Sequence, residues 1–122
     1  MSLESDLFTL LKAAAPALGT RVFPDFAPVT TQRPYCTYQG IGGEVLNMVA
    51  NVAPGVRNAM LQITVWSNTR KEALEISRAI EDAMCTTSVF KAARPIAAAV
   101  ADYDAEIPVY GSRQDFTVWH TT

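Results

Sequence analysis

A chain of 122 residues, 49% hydrophobic and 18% charged, has the composition of a folded unit and not of a disordered tail. It is long enough to bury an ordinary core without metal or disulfide staples, and one domain spanning residues 1–122 is the expectation. Its formal charge of −2 and the scatter of its ten basic residues argue against a general nucleic-acid binder, and no apolar run reaches bilayer-spanning length, so no membrane partner is expected.

The N-terminal stretch "LFTLLKAAAPALG" has the apolar and small residues of an export signal, but Glu4 and Asp6 stand where such signals carry basic residues, and export is not expected. Leu3, Leu7, Leu10, Leu11, Ala14 and Leu18 fall on one side of a helical wheel instead, with Ser2 placed to cap the first turn. Pro16 opposes further helix, and Gly19 supplies a residue that tolerates the backbone of a helix exit. A short strand from Arg21 to Phe23, stopped by Pro24, comes next, and Pro28 and Pro34 frame a polar loop.

The second strand is read in "PYCTYQGIGG", where Tyr35, Thr37 and Gln39 alternate with Cys36, Tyr38 and Gly40. Between Gly42 and Arg57, Leu46, Met48, Val49 and Val52 stand among asparagines, followed by Pro54-Gly55. Two readings stay open for this segment: strand continuation with a tight turn, or a long arm reaching out of the domain. Exposed apolar patches commonly mark a partner surface, so Ile41, Leu46, Met48, Val49 and Val52 are the candidate protein-interface residues.

Leu61, Ile63 and Val65 alternate with Met60, Gln62, Thr64 and Trp66, the period of a strand with one buried face. From Thr69 onward Ala73, Ile76, Ile80, Ala83 and Met84 adopt helical spacing, with Leu74 beside them. The junction at Ser67-Asn68-Thr69 carries a capping box, Thr69 with Glu72, and no glycine lies between Val56 and Glu72 to form a phosphate-binding loop. It reads as a hinge that turns a core strand into its covering helix. After this helix the alanine-rich stretch is expected to be a connection and then a strand from Ile96 to Tyr103. "DAEIPVYGSRQ" follows as a turn or loop, and a last strand, "SRQDFTVWHT", closes the chain with Phe116, Val118 and His120 alternating against Asp115, Thr117 and Trp119. The pattern predicts an α+β fold, a mostly antiparallel sheet of four to five strands with two helices packed on one face.

Little in the chain favours catalysis. His120 is the only histidine and stands two residues from the last residue, where neither an orienting neighbour nor a protected pocket is promised. Cys36 and Cys85 lack metal-type spacing and read as reduced, half-buried thiols of a cytosolic protein. Asp102, Asp104 and Glu106 would share one side of an extended segment, yet they lack the glycine and closing glutamate of a calcium loop. Ser88 and Ser112 lack nucleophile-elbow glycines, although Gly111 precedes Ser112. Tyr35, Tyr38, Trp66, Phe116 and Trp119 could form a stacking platform for bases, but only Arg33, Arg57 and Arg113 lie near these strands, so core and interface packing is the simpler account. Neither an enzyme nor a cofactor or metal site is expected.

The succession "APALGTRVFPDFAP", "RPYCTYQGIGGE", "LQITVWSNTRKEALEISRAIEDAM" and "DFTVWHT" resembles small tail-completion or tail-terminator proteins of long-tailed bacteriophages and prophages, a group once catalogued as a domain of unknown function. The likeness spans nearly the whole chain, and Tyr35, Gln62, Val65 and Trp66 match it as determinants of the fold. It implies a homohexameric ring at the capsid-facing end of the tail tube that stops tube growth and joins tail to head. The implied partners are further copies of the chain, the tail tube protein and a head-completion protein, with DNA passing through unbound. The implied place is the virion tail, after assembly in the bacterial host cytoplasm. The alternative from another class is a small α+β ligand-binding or regulatory domain.

Overall fold

The computed structural model describes residues 3–28, 30–43 and 55–121. Helix α1 (Leu3–Ala14) is followed by a short 3₁₀ turn (Pro16–Leu18), strands β1 (Val22–Pro24), β2 (Tyr35–Gly42) and β3 (Val56–Ser67), helix α2 (Arg70–Thr86), and strands β4 (Ala92–Pro95), β5 (Val100–Asp104) and β6 (Val109–Thr121). The six strands form one sheet in the order β1-β2-β3-β6-β4, with β5 also paired to β6. Only β1 and β2 run parallel; the other pairs are antiparallel, so the α+β architecture expected from the sequence holds with six strands instead of four to five.

The alternation of β3 decides where the core lies. Leu61, Ile63 and Val65 point to the helices, joined in register by Cys36 and Tyr38 of β2 and by Phe116 and Val118 of β6. Leu7 and Leu11 of α1 and Ile76, Ile80 and Met84 of α2 close over them. Removing each such side chain from water stabilises the fold by about 1.5–3 kcal/mol, against the entropy of ordering the chain. Leu10 and Ala14 are only half-buried, and Leu74 stays on the exposed side of α2. Burial is complete for Cys36, whose thiol is pushed up to about 12, while Cys85 is exposed; neither is the half-buried thiol read from the sequence.

Helix α1 ends before Pro16, which has no N–H to continue the ladder. Gly19 takes a positive φ of 60° and donates its N–H to the Pro16 carbonyl. Arg21 then holds the exit, donating Nε to the Pro34 carbonyl and Nη2 to the Ala17 carbonyl, each at 2.9 Å. The expected cap, Ser2, lies outside the described residues.

The capping box at the head of α2 is half realised. Glu72 N–H donates to Thr69 Oγ1 at 3.1 Å, as anticipated. The Glu72 carboxylate accepts from Ser67 Oγ and does not reach back to Thr69 N–H, whose contact is a long one, 3.4 Å, to Ser67 Oγ. The fully buried Ser67 thus relays between strand and helix, and the junction is a hinge with a polar pin.

Between the helix and the last strand the register differs from expectation. Instead of one strand from Ile96 to Tyr103 there are two, and the chain bends at 96–99 between them. β4 pairs with Phe116–Trp119 and β5 with Val109–Arg113, so both lie on the same side of β6. The buried Gln114 amide explains the break: its Nε2 donates to the Ala97 carbonyl at 2.8 Å and to Glu81 Oε1 of α2 at 2.6 Å, and Ile96 N–H donates to the Asp115 carbonyl. The stretch 109–111, expected to be loop ahead of a strand beginning at Ser112, belongs to β6, because its neighbour β3 continues the ladder to Ser67 and Tyr110.

Candidate functional site

Among the described residues, the same alternation that fills the core leaves the opposite face of the sheet without a helix. Register sets its rows: Tyr35 beside Trp66 and Gly111, Thr37 beside Thr64 and Arg113, Gln39 beside Gln62 and Asp115. Side chains in these rows pair with one another. Gln62 Nε2 donates to Asp115 Oδ1 at 3.1 Å, and Asn58 Nδ2 donates to Thr117 Oγ1 at 2.8 Å. Gly111 makes room for the Trp66 ring, which a Cβ there would meet at 2.8 Å and displace. A shallow groove of about 370 Å³ crosses this face, with Phe26 and Tyr35 at one end and Asp102 and Arg113 at the other.

The groove does not assemble a reaction centre. Arg113 and Asp102 stand 3.9 Å apart and are both well exposed, a geometry that contributes little in water. Burial pushes the Tyr35 phenol up, with Arg33 opposing and Asp104 adding to the rise, so it is neither a base nor a nucleophile at neutral pH. His120 sits half-buried on β6, opposite Arg57 and away from the groove.

The other candidates for chemistry are dispersed. Asp102 Oδ1 accepts from Tyr103 N–H, and Asp104 Oδ1 accepts from the N–H groups of Glu106 and Ile107. β5 ends at Asp104 and Glu106 lies in the turn, so the three carboxylates do not share one extended side. Among the described residues no group of three or more potential metal ligands converges. Ser88 is exposed, and Ser112 is buried with its hydroxyl unpartnered among the described residues. The aromatic platform is split by the pleat: Tyr38 and Phe116 belong to the core, while Tyr35 and Trp66 face the open side. Arg33 is held elsewhere, donating to Asn68 Oδ1 and to the Pro108 carbonyl.

What the surface does offer is edges with apolar groups on them. Among the interface candidates, Ile41 is 40% exposed and is the extra residue of a bulge, since Gly40 pairs with Leu61 and Gly42 with Met60. Bulges at sheet margins re-aim side chains and end pairing. Leu46, Met48, Val49 and Val52 lie outside the described residues. Exposed apolar side chains that the sequence did not single out gather at the two ends of the sheet: Phe26 after β1, and Ile96, Val100, Tyr103 and Ile107 along the β4–β5 side. Phe26 is 79% exposed. Little periodicity marks these positions, because Phe26, Ile96 and Ile107 lie outside strands, and Val100 and Tyr103 belong to a strand of five residues.

A search of curated proteins finds no match to the chain. Among solved structures, a chain described as "Virion of native gene transfer agent (GTA) particle" is similar in fold, with a TM-score of 0.69 at 16% identity, covering 99% of this chain and 96% of that one. The sequence profile described as "Tail completion protein gp17" matches residues 5–121. That match takes in both helices and every strand, and the chain belongs to the tail completion protein gp17 family.

Proposed function

We propose that this phage tail structural protein acts as one domain and forms a ring of identical subunits, six in number, that terminates the tail tube and joins tail to head. The observation that carries the reading is the family match over nearly the whole chain. The exposed apolar groups at both ends of the sheet support it, because a closed ring of head-to-tail contacts covers two different edges of each subunit at once. The similarity to a chain of a gene transfer agent virion agrees with a place in a particle. Assembly takes place in the bacterial host cytoplasm, beside a tail tube protein and a head-completion protein. Ile41 and the apolar residues Leu46, Met48, Val49 and Val52 contribute to contacts in the assembled tail. DNA passes without specific binding, since a chain of net charge −2 offers little of the counterion release that drives attachment to phosphates.

The test is deletion in the phage or prophage, with the lysate viewed by electron microscopy. Tubes of uncontrolled length beside separate filled heads are expected, and expression in trans restores joined particles. Joined particles of normal tail length in the deletion lysate would overturn the reading. The alternative, a small ligand-binding or regulatory domain, is favoured instead if the protein is a strict monomer both alone and on purified tail tubes.

A further inference from the structure

We propose that the contact between neighbouring copies pairs an acidic end of the sheet with a basic one: the β1 edge, with Glu4 and Asp25 beside Phe26, seats against the β4 edge of the next copy, with Lys91 and Arg94. This deepens the ring reading and rests on it. Strands β1 and β4 stand at opposite ends of the sheet order, as a head-to-tail contact between two different patches requires.

The acidic end is built from two elements. Asp25 follows β1 in a left-handed backbone conformation, φ 65°, with its N–H donating to the Tyr38 carbonyl at 2.8 Å. Aspartate tolerates that conformation better than most residues, and the turn leaves Phe26 in solvent. Glu4 comes from the first turn of α1. The Tyr38 phenol is pushed up by burial and then further by Glu4 and Asp25.

The basic end lies in one segment, which Glu81 of α2 approaches only at Ala97, through the Gln114 amide. Residues 87–101 contain Lys91 and Arg94 and no carboxylate. Both cations are exposed, and Val89 and Ile96 flank them at 53% and 47% exposure. None of the four charged side chains forms an ion pair among the described residues. Pro95 has no N–H to donate, so the contact is made by side chains and not by extending the β4 ladder into the next copy. Apolar anchors flanked by opposite charges give such an interface both area and register.

The experiment uses two variants of the full chain. One carries Lys91→Glu with Arg94→Glu; the other carries Glu4→Lys with Asp25→Asn, asparagine being chosen because it too tolerates a positive φ. Association is followed by sedimentation over a concentration range, alone and with purified tail tubes, and thermal melts check that each variant is folded. Each variant alone is expected to associate at least about tenfold more weakly than the wild type, because like charges then face each other. An equimolar mixture is expected to recover assembly, since in a ring of alternating variants no contact brings two acidic or two basic edges together. Higher salt weakens the wild-type contact as these exposed charges are screened.

Folded variants that associate as the wild type does, or a mixture no better than its components, would overturn the edge pairing while leaving the ring reading intact. A wild-type protein that stays monomeric even on tail tubes would overturn both.

Discussion

The two faces of the sheet are made by the same strands and differ in nearly every physical respect. On the helix-covered face Leu61, Ile63, Val65, Phe116 and Val118 are almost wholly out of water. On the other, Gln62 and Trp66 are half-buried and Thr64 is buried, polar or aromatic residues held by cross-strand pairs such as Gln62 with Asp115. The first face contributes stability through buried area, and the second keeps a regular surface without a large energetic stake in any one side chain. Function is then to be sought where neither rule is obeyed: at the sheet ends, where Phe26 and Val100 stay exposed though apolar.

Substitutions can break this contrast in a graded way. Phe116→Ala, at a fully buried position in the middle of β6, is expected to cost about 3–5 kcal/mol, read as a lower denaturation midpoint in urea. A loss below 1 kcal/mol would mean that the helices are not packed on this strand.

Alkaline pH probes the same face without changing its volume. The neutral Cys36 thiol is favoured in the folded state, with its pKa pushed up to about 12 from 9.0. The group's contribution is therefore fully present below pH 9 and is lost as pH rises from there toward 12, at up to about 1.4 kcal/mol per pH unit. Melting temperatures measured across that window should fall, and a Cys36→Ala variant should fall less steeply. Equal slopes would show that the thiol ionises without resistance.

The smallest effect belongs to the open face. Gln62→Ala removes one side-chain pair beside solvent and is expected to cost under about 1 kcal/mol, with no change in denaturant slope. A cost matching that of Phe116→Ala would indicate that this face too is buried, by a partner copy in the sample.

Much of this architecture was legible in the residues themselves, because alternation and helical spacing are direct consequences of backbone geometry. The period of two in β3 named the core face, the spacing from Ala73 to Met84 named the helix that covers it, and Thr69 and Pro16 marked where helices begin and end. The family likeness was carried by those same elements, so it was readable as well. The stretch 92–104 was not. Its alanines carry no pattern, and its division into β4 and β5 depends on Gln114, distant in sequence, whose amide captures the Ala97 carbonyl. Nor could the wheel of α2 tell that Glu72 would turn to Ser67, a choice made only once strand and helix were packed.

The clustering of exposed apolar and charged groups at the two sheet ends was likewise beyond sequence reasoning. Glu4 and Asp25 are far apart along the chain, and both push up the Tyr38 phenol only because the fold brings their elements toward it. Local periodicity, which each segment carries alone, was thus determined by the sequence. Edges and patches, which exist only where segments from different parts of the chain come together, were decided by the tertiary structure.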